Sequence, residues 1–252
     1  MIETPELPGL LKEEHEIRPT RFTGSTTAAL LGMDPHTSPS DAWKLNLGIA
    51  EFKGNEFADA GNDMEDGIAN MCKRALGINL YKPSSILHPD MEHLFVVHPD
   101  RLSVNGNLGI QIKNHIPALM TLKRDSWRYH AHPGATGIWD NFHVPKAYLV
   151  QCIVEMNIVA AAMGAEWGEQ WLLASYFGGP NLRLYTIKND PELWDGIVHA
   201  AQIFWRDHLD PKGPQLEPSD ANWVPKGADP QRAKPLTGID LLNSPLPEYS
   251  KG

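Results

Sequence analysis

Two cysteines, Cys72 and Cys152, are the only thiols in 252 residues. That scarcity excludes a disulfide framework and any four-cysteine zinc or iron–sulfur site, and it makes a reducing cytoplasm the expected compartment. Long apolar runs are missing too. None approaches the roughly 18–20 residues a membrane helix needs, so no membrane partner is expected. The opening stretch MIETPELPGLLKEEHEIRP is acidic and broken by proline, unlike a secretory signal. Excess positive charge is the third absence. With 22 Lys+Arg against 31 Asp+Glu the net charge is −9, and on the sum alone that argues against a nucleic-acid partner. What remains is an ordinary globular composition, 42% apolar and 21% charged, long enough for one sizeable core.

The distribution of charge qualifies the sum. Residues 51–70 carry six carboxylates and one lysine, whereas residues 101–150 carry six Lys/Arg and two Asp, with His115, His130, His132 and His143 added. An acidic cluster next to a basic stretch suits a site that gathers a cation and a polyanion, although a solvated acidic helix face also produces such a cluster.

Local signals divide the chain. Residues 1–17 form an arm. Ser25 is the candidate N-cap of a short helix over STTAALLGM, and Ser38 with Pro39 opens another that ends at Gly48. A longer amphipathic helix covers much of 55–76 and stops at Gly77. The runs SSILH, EHLFVVH, RLSV and LGIQIK then read as short strands, with Asn105-Gly106 as a hairpin signal between the last two. Residues 115–144 have no clear period and read as a long loop insertion. A helix from Pro145 to Gly164 follows, then strands EQWLLASYF and NLRLYTI, and a last helix opened by Asp190 and Pro191. Residues 211–252 are a Pro-rich tail. The order predicts an α/β core for residues 18–210, with a central mixed sheet flanked by helices.

The residues carrying chemistry sit on these elements. Gln111 and Lys113 are two apart and share one strand face. Asp100, eleven residues before Gln111, can be brought alongside by the hairpin. Such a set could hold Mg²⁺ and place a lysine near the reacting water. Glu65 lies mid-helix within the acidic cluster and is a candidate third ligand. Arg18 and Ser25 flank the entry to a helix, where backbone N–H groups favour a phosphate. Gln151 is a polar residue in an apolar helix stretch, one turn after Tyr148. In the long loop, Lys123, Arg124 and Arg128 interleave with Trp127 and Tyr129, a composition suited to phosphate contact and base stacking. His130-x-His132 lacks further ligands in register for zinc.

Taken in order, R-x₆-S, AALLGM-x-P, SP-x-x-AW, G-x-x-x-E, HPD, I-x-K and AY-x-x-Q resemble the YqaJ-type viral recombinases, the lambda-type alkaline exonucleases of the PD-(D/E)xK nuclease fold. The resemblance covers roughly residues 18–208. It implies a PD-(D/E)xK restriction-endonuclease-like core and Mg²⁺-dependent, 5′-to-3′ digestion of one strand of duplex DNA, with Mn²⁺ as a substitute ion. The product would be a 3′ single strand for a single-strand annealing protein, in the cytoplasm of a bacterial or phage-infected cell. Arg18 and Ser25 match the family's 5′-phosphate pocket, Glu65 its acidic residue at the metal, Asp100 its metal-binding aspartate, Lys113 its catalytic lysine and Gln151 its glutamine. The Ile112 carbonyl would be a neutral metal ligand. Some members form trimeric rings that thread DNA, so a homo-oligomer is expected; a basic lining inside an acidic exterior would reconcile DNA binding with the net charge. The departure is Gln111, where the family usually has Glu. An amide oxygen can ligate a hard cation but brings no charge, so Gln111 reads as a working ligand of weaker affinity. Two other readings stay open: a DNA-end-binding accessory protein that has lost cleavage, and an endonuclease with the same core. Iron–sulfur relatives of the Cas4 type are excluded by the cysteine count.

Overall fold

The computed structural model describes residues 10–11, 21–34, 37–50, 56–115, 144–178, 182–213 and 217–218. The strands run β1 (Leu10–Leu11), β2 (Leu80–Tyr81), β3 (Ser85–Leu87), β4 (Val96–Val97), β5 (Arg101–Ser103), β6 (Gly109–Asn114), β7 (Gln170–Tyr176) and β8 (Leu182–Lys188). The helices are α1 (Gly24–Leu30), α2 (Pro39–Asn46), α3 (Glu56–Leu76), α4 (Lys146–Met163) and α5 (Pro191–Phe204). Five strands form the central sheet in the order β2-β5-β6-β7-β8, with β6 and β7 parallel and the other neighbours antiparallel. The sheet is therefore mixed, as the element order predicts. SSILH and EHLFVVH do not join it. Their strands pair with each other and with β1 in a separate three-stranded sheet, so part of the expected N-terminal arm is built into the fold.

Alternation along the strands decides what each face packs against. Trp171 and Leu173 of β7 enter the larger core with Leu149, Ile153 and Met156 of α4, while Leu172 and Ala174 enter a second core with Ile68, Cys72 and Leu76 of α3. Those three α3 residues are four apart and line one helix face, and Asp63, Asp66 and Arg74 are exposed. Ile110 and Ile112 of β6 also face α3. Gln111 and Lys113, between and beyond them, consequently point to the α4 side.

α4 is buried on most sides, against the sheet, α1 and α5. Its 18 residues average a hydropathy of 1.3, long and apolar enough by length and composition to cross a bilayer. This revises the expectation drawn from uninterrupted apolar runs, because Gln151, Glu155 and Asn157 punctuate the helix without making it polar. The faces it buries in the two-sided core mark it as a core helix.

Two local expectations need correction. The N-cap of α1 is Thr23, not Ser25: Thr23 Oγ1 accepts from the Thr26 backbone N–H at 3.0 Å, and Thr26 Oγ1 accepts in return from the Thr23 N–H at 3.1 Å. Ser25 already lies in the first turn, with its side chain exposed. The hairpin at Asn105-Gly106 forms, but not as a tight two-residue turn. Ser103 and Leu108 close it instead, through Ser103 N–H to Leu108 O at 2.9 Å and Leu108 N–H to Ser103 Oγ at 3.1 Å. The other caps follow the sequence: Ser38 for α2 and Asp190 for α5, with Gly77 at φ 68° after α3.

Gly109, where β6 begins, has no room for a side chain, since a Cβ there would fall 2.2 Å from the ring of the fully buried Trp171. Gly109→Ala is expected to destabilise by about 2 kcal/mol through overpacking, a fall in Tm of roughly 4–8 °C at this chain length. Thermal unfolding by circular dichroism reads it directly, and an unshifted midpoint would mean the Trp171 packing described above is wrong.

Candidate active site

The site forms where the β5–β6 ladder stops. β5 pairs with β6 only through Arg101↔Ile110 and Leu102↔Gly109. Asp100 lies one residue before that pairing, and its side chain continues the ladder in place of backbone. Asp100 Oδ2 accepts from the Ile112 backbone N–H and from Gln111 Nε2, each at 2.6 Å. Burial pushes the Asp100 carboxyl up to about 6, against the opposing pull of Lys113 and the Ile112 N–H.

Gln111 is 1% exposed, and its Oε1 is buried without a hydrogen-bond donor among the described residues. An orphaned buried carbonyl is unfavourable by about 1–3 kcal/mol unless something outside the fold satisfies it. Lys113 Nζ donates to Gln151 Oε1 of α4 at 2.8 Å and sits 5.1 Å from the centre of the Tyr148 ring. Gln151 Nε2 in turn donates to Glu155 Oε1 at 2.9 Å. Burial, with a further push from nearby Asp100, holds the Glu155 carboxyl well above the ordinary range.

Glu65 reaches the same neighbourhood from α3, but its Oε1 is held by Arg101 at 2.5 Å and by Lys82 at 3.1 Å. Arg101, 4% exposed, also bonds Asp66 and the Asp100 carbonyl, and so locks α3 onto the strand that carries Asp100. A cavity of about 320 Å³ opens beside this lock, with Lys73, Lys82, Asn70 and Asp66 on its walls.

Among the described residues no three His, Cys, Asp or Glu side chains converge to hold a metal. Hard divalent cations also accept amide and backbone oxygens, and Mg²⁺ keeps several of its waters. Asp100 Oδ1, which makes no bond with a described residue, and the orphaned Gln111 Oε1 are such donors. A strand residue projects its N–H and C=O from the same edge, which puts the Ile112 carbonyl on the edge facing Asp100. This set fits one hard cation with low protein charge. Glu65 would add a second carboxylate through the oxygen that Arg101 and Lys82 leave free.

The structure thus brings Asp100, Gln111, Ile112, Lys113 and Gln151 together and sets Glu65 beside them in an ion pair. Ser25 is exposed on α1, its hydroxyl 3.2 Å from Thr23 Oγ1. Arg18, Lys123, Arg124, Trp127 and Arg128 lie outside the described residues, as does His130-x-His132. Arg101 and Glu155 were not singled out from the sequence. Each carried a signal: Arg101 follows HPD directly within an apolar strand, and Glu155 is four residues after Gln151, on the same helix face.

Among solved structures, an alkaline exonuclease, LHK-Exo, from Laribacter hongkongensis is similar over 74% of this chain and 87% of its own, with a TM-score of 0.50 at 18% identity. Its complex with dAMP gives a TM-score of 0.53 at 17% identity, over 76% and 90%. A phage related exonuclease from Haemophilus somnus 129PT is similar over 73% and 93%, with a TM-score of 0.47 at 16% identity. No individually curated protein is similar enough in sequence to match. With a mixed sheet whose ladder ends in Asp100, Gln111 and Lys113, the fold is that of the PD-(D/E)xK nucleases. The model of the YqaJ-like viral recombinase domain matches residues 15–162, more than half of the sequence, and the chain belongs to that family. It is a nuclease associated with recombination.

Proposed function

We propose that this protein is a divalent-metal-dependent exonuclease that enters linear duplex DNA at an end and digests one strand 5′ to 3′, leaving a 3′ single strand. The observation that carries the reading is the strand edge itself: Asp100 and Gln111 are side-chain partners there, the buried Gln111 carbonyl has no donor among the described residues, and Lys113 is next on the same strand face. A bound Mg²⁺ or Mn²⁺ supplies Lewis acidity to the phosphoryl oxygens. The side chains do the rest. Asp100 and Gln111 would hold the ion, and Lys113, fixed by Gln151, offsets charge that develops on the phosphate. The basic residues Lys123, Arg124 and Arg128, with Trp127 among them, are assigned to the DNA backbone and the frayed end. Arg18 and Ser25 are assigned to the terminal 5′-phosphate. On the same reading the product passes to a single-strand annealing protein, the assembly is a homo-oligomeric ring, and the compartment is the cytoplasm.

The test is digestion of end-labelled linear duplex and of a covalently closed circle in Mg²⁺, with 5′-phosphate and 5′-hydroxyl ends compared. Phosphorylated ends are expected to be digested from the 5′ side and the circle spared; cutting of the circle would make the protein an endonuclease. Arg18→Ala is expected to slow digestion of a 5′-phosphorylated end by roughly tenfold or more, in line with loss of a charge-assisted contact. Its effect on a 5′-hydroxyl end should be small, and equal losses on both ends would remove Arg18 from the pocket.

A further inference from the structure

Behind Lys113 lies a relay that ends on a buried carboxyl. Lys113 Nζ donates to Gln151 Oε1 at 2.8 Å, and Gln151 Nε2 donates to Glu155 Oε1 at 2.9 Å. Glu155 is 1% exposed and is wedged against α1, where a Cβ added to Gly24 would fall 2.2 Å from its Oε1. Its second oxygen, Oε2, is buried with no partner among the described residues. Packing alone would favour a Met or Leu at such a position, because a buried polar atom without a partner is unfavourable. The carboxyl therefore needs a reason to be there.

The chemistry of the middle residue provides one. A carboxamide has two ends of nearly equal size and opposite hydrogen-bonding character. The Lys113 ammonium group only donates, so it is served by the Gln151 oxygen and repelled by its NH₂. What decides which end faces Lys113 is the group at the other end. We propose that Glu155 is a positioning residue for Lys113: by accepting from Gln151 Nε2 it holds the amide oxygen toward the ammonium group, and so fixes the lysine beside the Asp100–Gln111 edge. Acceptance at Oε1 is the required property, and a neutral acid or an amide provides it as well as a carboxylate. The inference rests on the reading of Lys113 as the catalytic lysine.

Two sets of measurements test it. In steady-state digestion of linear duplex with Mg²⁺, Glu155→Met is expected to lower kcat by about 10–100-fold, the scale of a catalytic group displaced by about 1 Å. KM for DNA should stay within about threefold. Glu155→Gln, which keeps an acceptor, should retain kcat within about threefold. In a Gln151→Met background the Glu155→Met change should add almost nothing, because the relay is already cut. A kcat unchanged in Glu155→Met overturns the proposal. So does a loss that adds in full to that of Gln151→Met, or a Glu155→Gln variant as impaired as Glu155→Met. Glu155→Leu replaces Glu155→Met should the latter not fold. Crystal structures give a readout that does not depend on nuclease activity. Lys113 Nζ should leave Gln151 Oε1 in Glu155→Met and stay in Glu155→Gln, and a lysine that stays in both overturns the inference. If the wild type digests no DNA, the proposed function fails, and the crystal structures still decide whether Glu155 positions Lys113.

Discussion

Lys113→Ala is expected to lower kcat on linear duplex DNA by about a hundredfold to a thousandfold, the range seen when one preorganised donor to a developing charge is removed. Three features place the effect in turnover rather than in folding or binding. Lys113 is half-buried near the end of β6, where among the described residues its ammonium group makes one hydrogen bond, to Gln151, and lies over the face of Tyr148. Loss of such a bond changes stability by about 1 kcal/mol, which thermal unfolding separates from turnover. DNA affinity draws on many phosphate contacts, so one ammonium group changes it little. Lys113→Arg should not restore the rate, because a planar guanidinium cannot keep the single-point geometry that Gln151 Oε1 and Tyr148 impose on an ammonium group. Single-turnover digestion with enzyme in excess over labelled DNA makes the measurement. A Lys113→Ala enzyme that keeps a tenth or more of the wild-type rate would take Lys113 out of the catalytic role, and the relay behind it would lose its purpose.

The parts of this site that could be read in the sequence are those set by short-range geometry. The two-residue spacing of Gln111 and Lys113 fixes a shared face whatever the sheet does around it, and the hairpin brings Asp100 back beside them. The helix of residues 56–76 is legible because Met64, Ile68, Met71, Cys72 and Ala75 recur at helical spacing before a glycine stop at Gly77, although only Ile68 and Cys72 of these five are buried, with Leu76 completing their face. Where the outcome depends on distant contacts, the sequence is silent. Thr23, Ser25 and Thr26 all carry hydroxyls that can cap, and the choice of Thr23 is made by where the chain enters the fold, through Phe22 bonded to Leu94. The strands of residues 85–87 and 96–97 read like central strands, and only their pairing with each other, and of residues 85–87 with Leu10–Leu11, places them in a second sheet. Arg101 reads as a charged residue on a strand until α3 supplies Glu65 and Asp66 to bury it. Glu155 has the same ambiguity: a glutamate in a helix is normally solvated, and its burial follows from the approach of Gly24.

Gln111→Glu is the second large effect, and its sign reverses with metal. In the protein as it stands, the Gln111 amide donates to Asp100 Oδ2 at 2.6 Å, so without a cation the pair is mutually satisfied on that side. A glutamate at 111 would replace the donor with an oxygen and set two carboxyls in contact, where one must hold a proton. Asp100 is already raised by burial from 3.8 to about 6. A carboxyl raised on folding contributes stability below its unfolded pKa and loses that contribution as pH rises through the folded one. In EDTA the variant's deficit should therefore be small near about pH 5 and grow towards about pH 8, reaching about 2 kcal/mol or a Tm lower by roughly 4–8 °C. Mg²⁺ should invert the order, because two carboxylates and the Ile112 carbonyl then surround a dication. We expect the variant's Mg²⁺ affinity to rise about tenfold or more over wild type, read as a larger metal-induced increase in Tm. Equal Mg²⁺ stabilisation of variant and wild type would show that the Asp100–Gln111 edge does not hold the ion. Stronger stabilisation with faster digestion would show that the amide at 111 limits metal occupancy in an otherwise complete site. Stronger stabilisation with digestion gained only in the variant would show that the natural protein holds DNA ends without cutting them, and that a single charge separates the two activities.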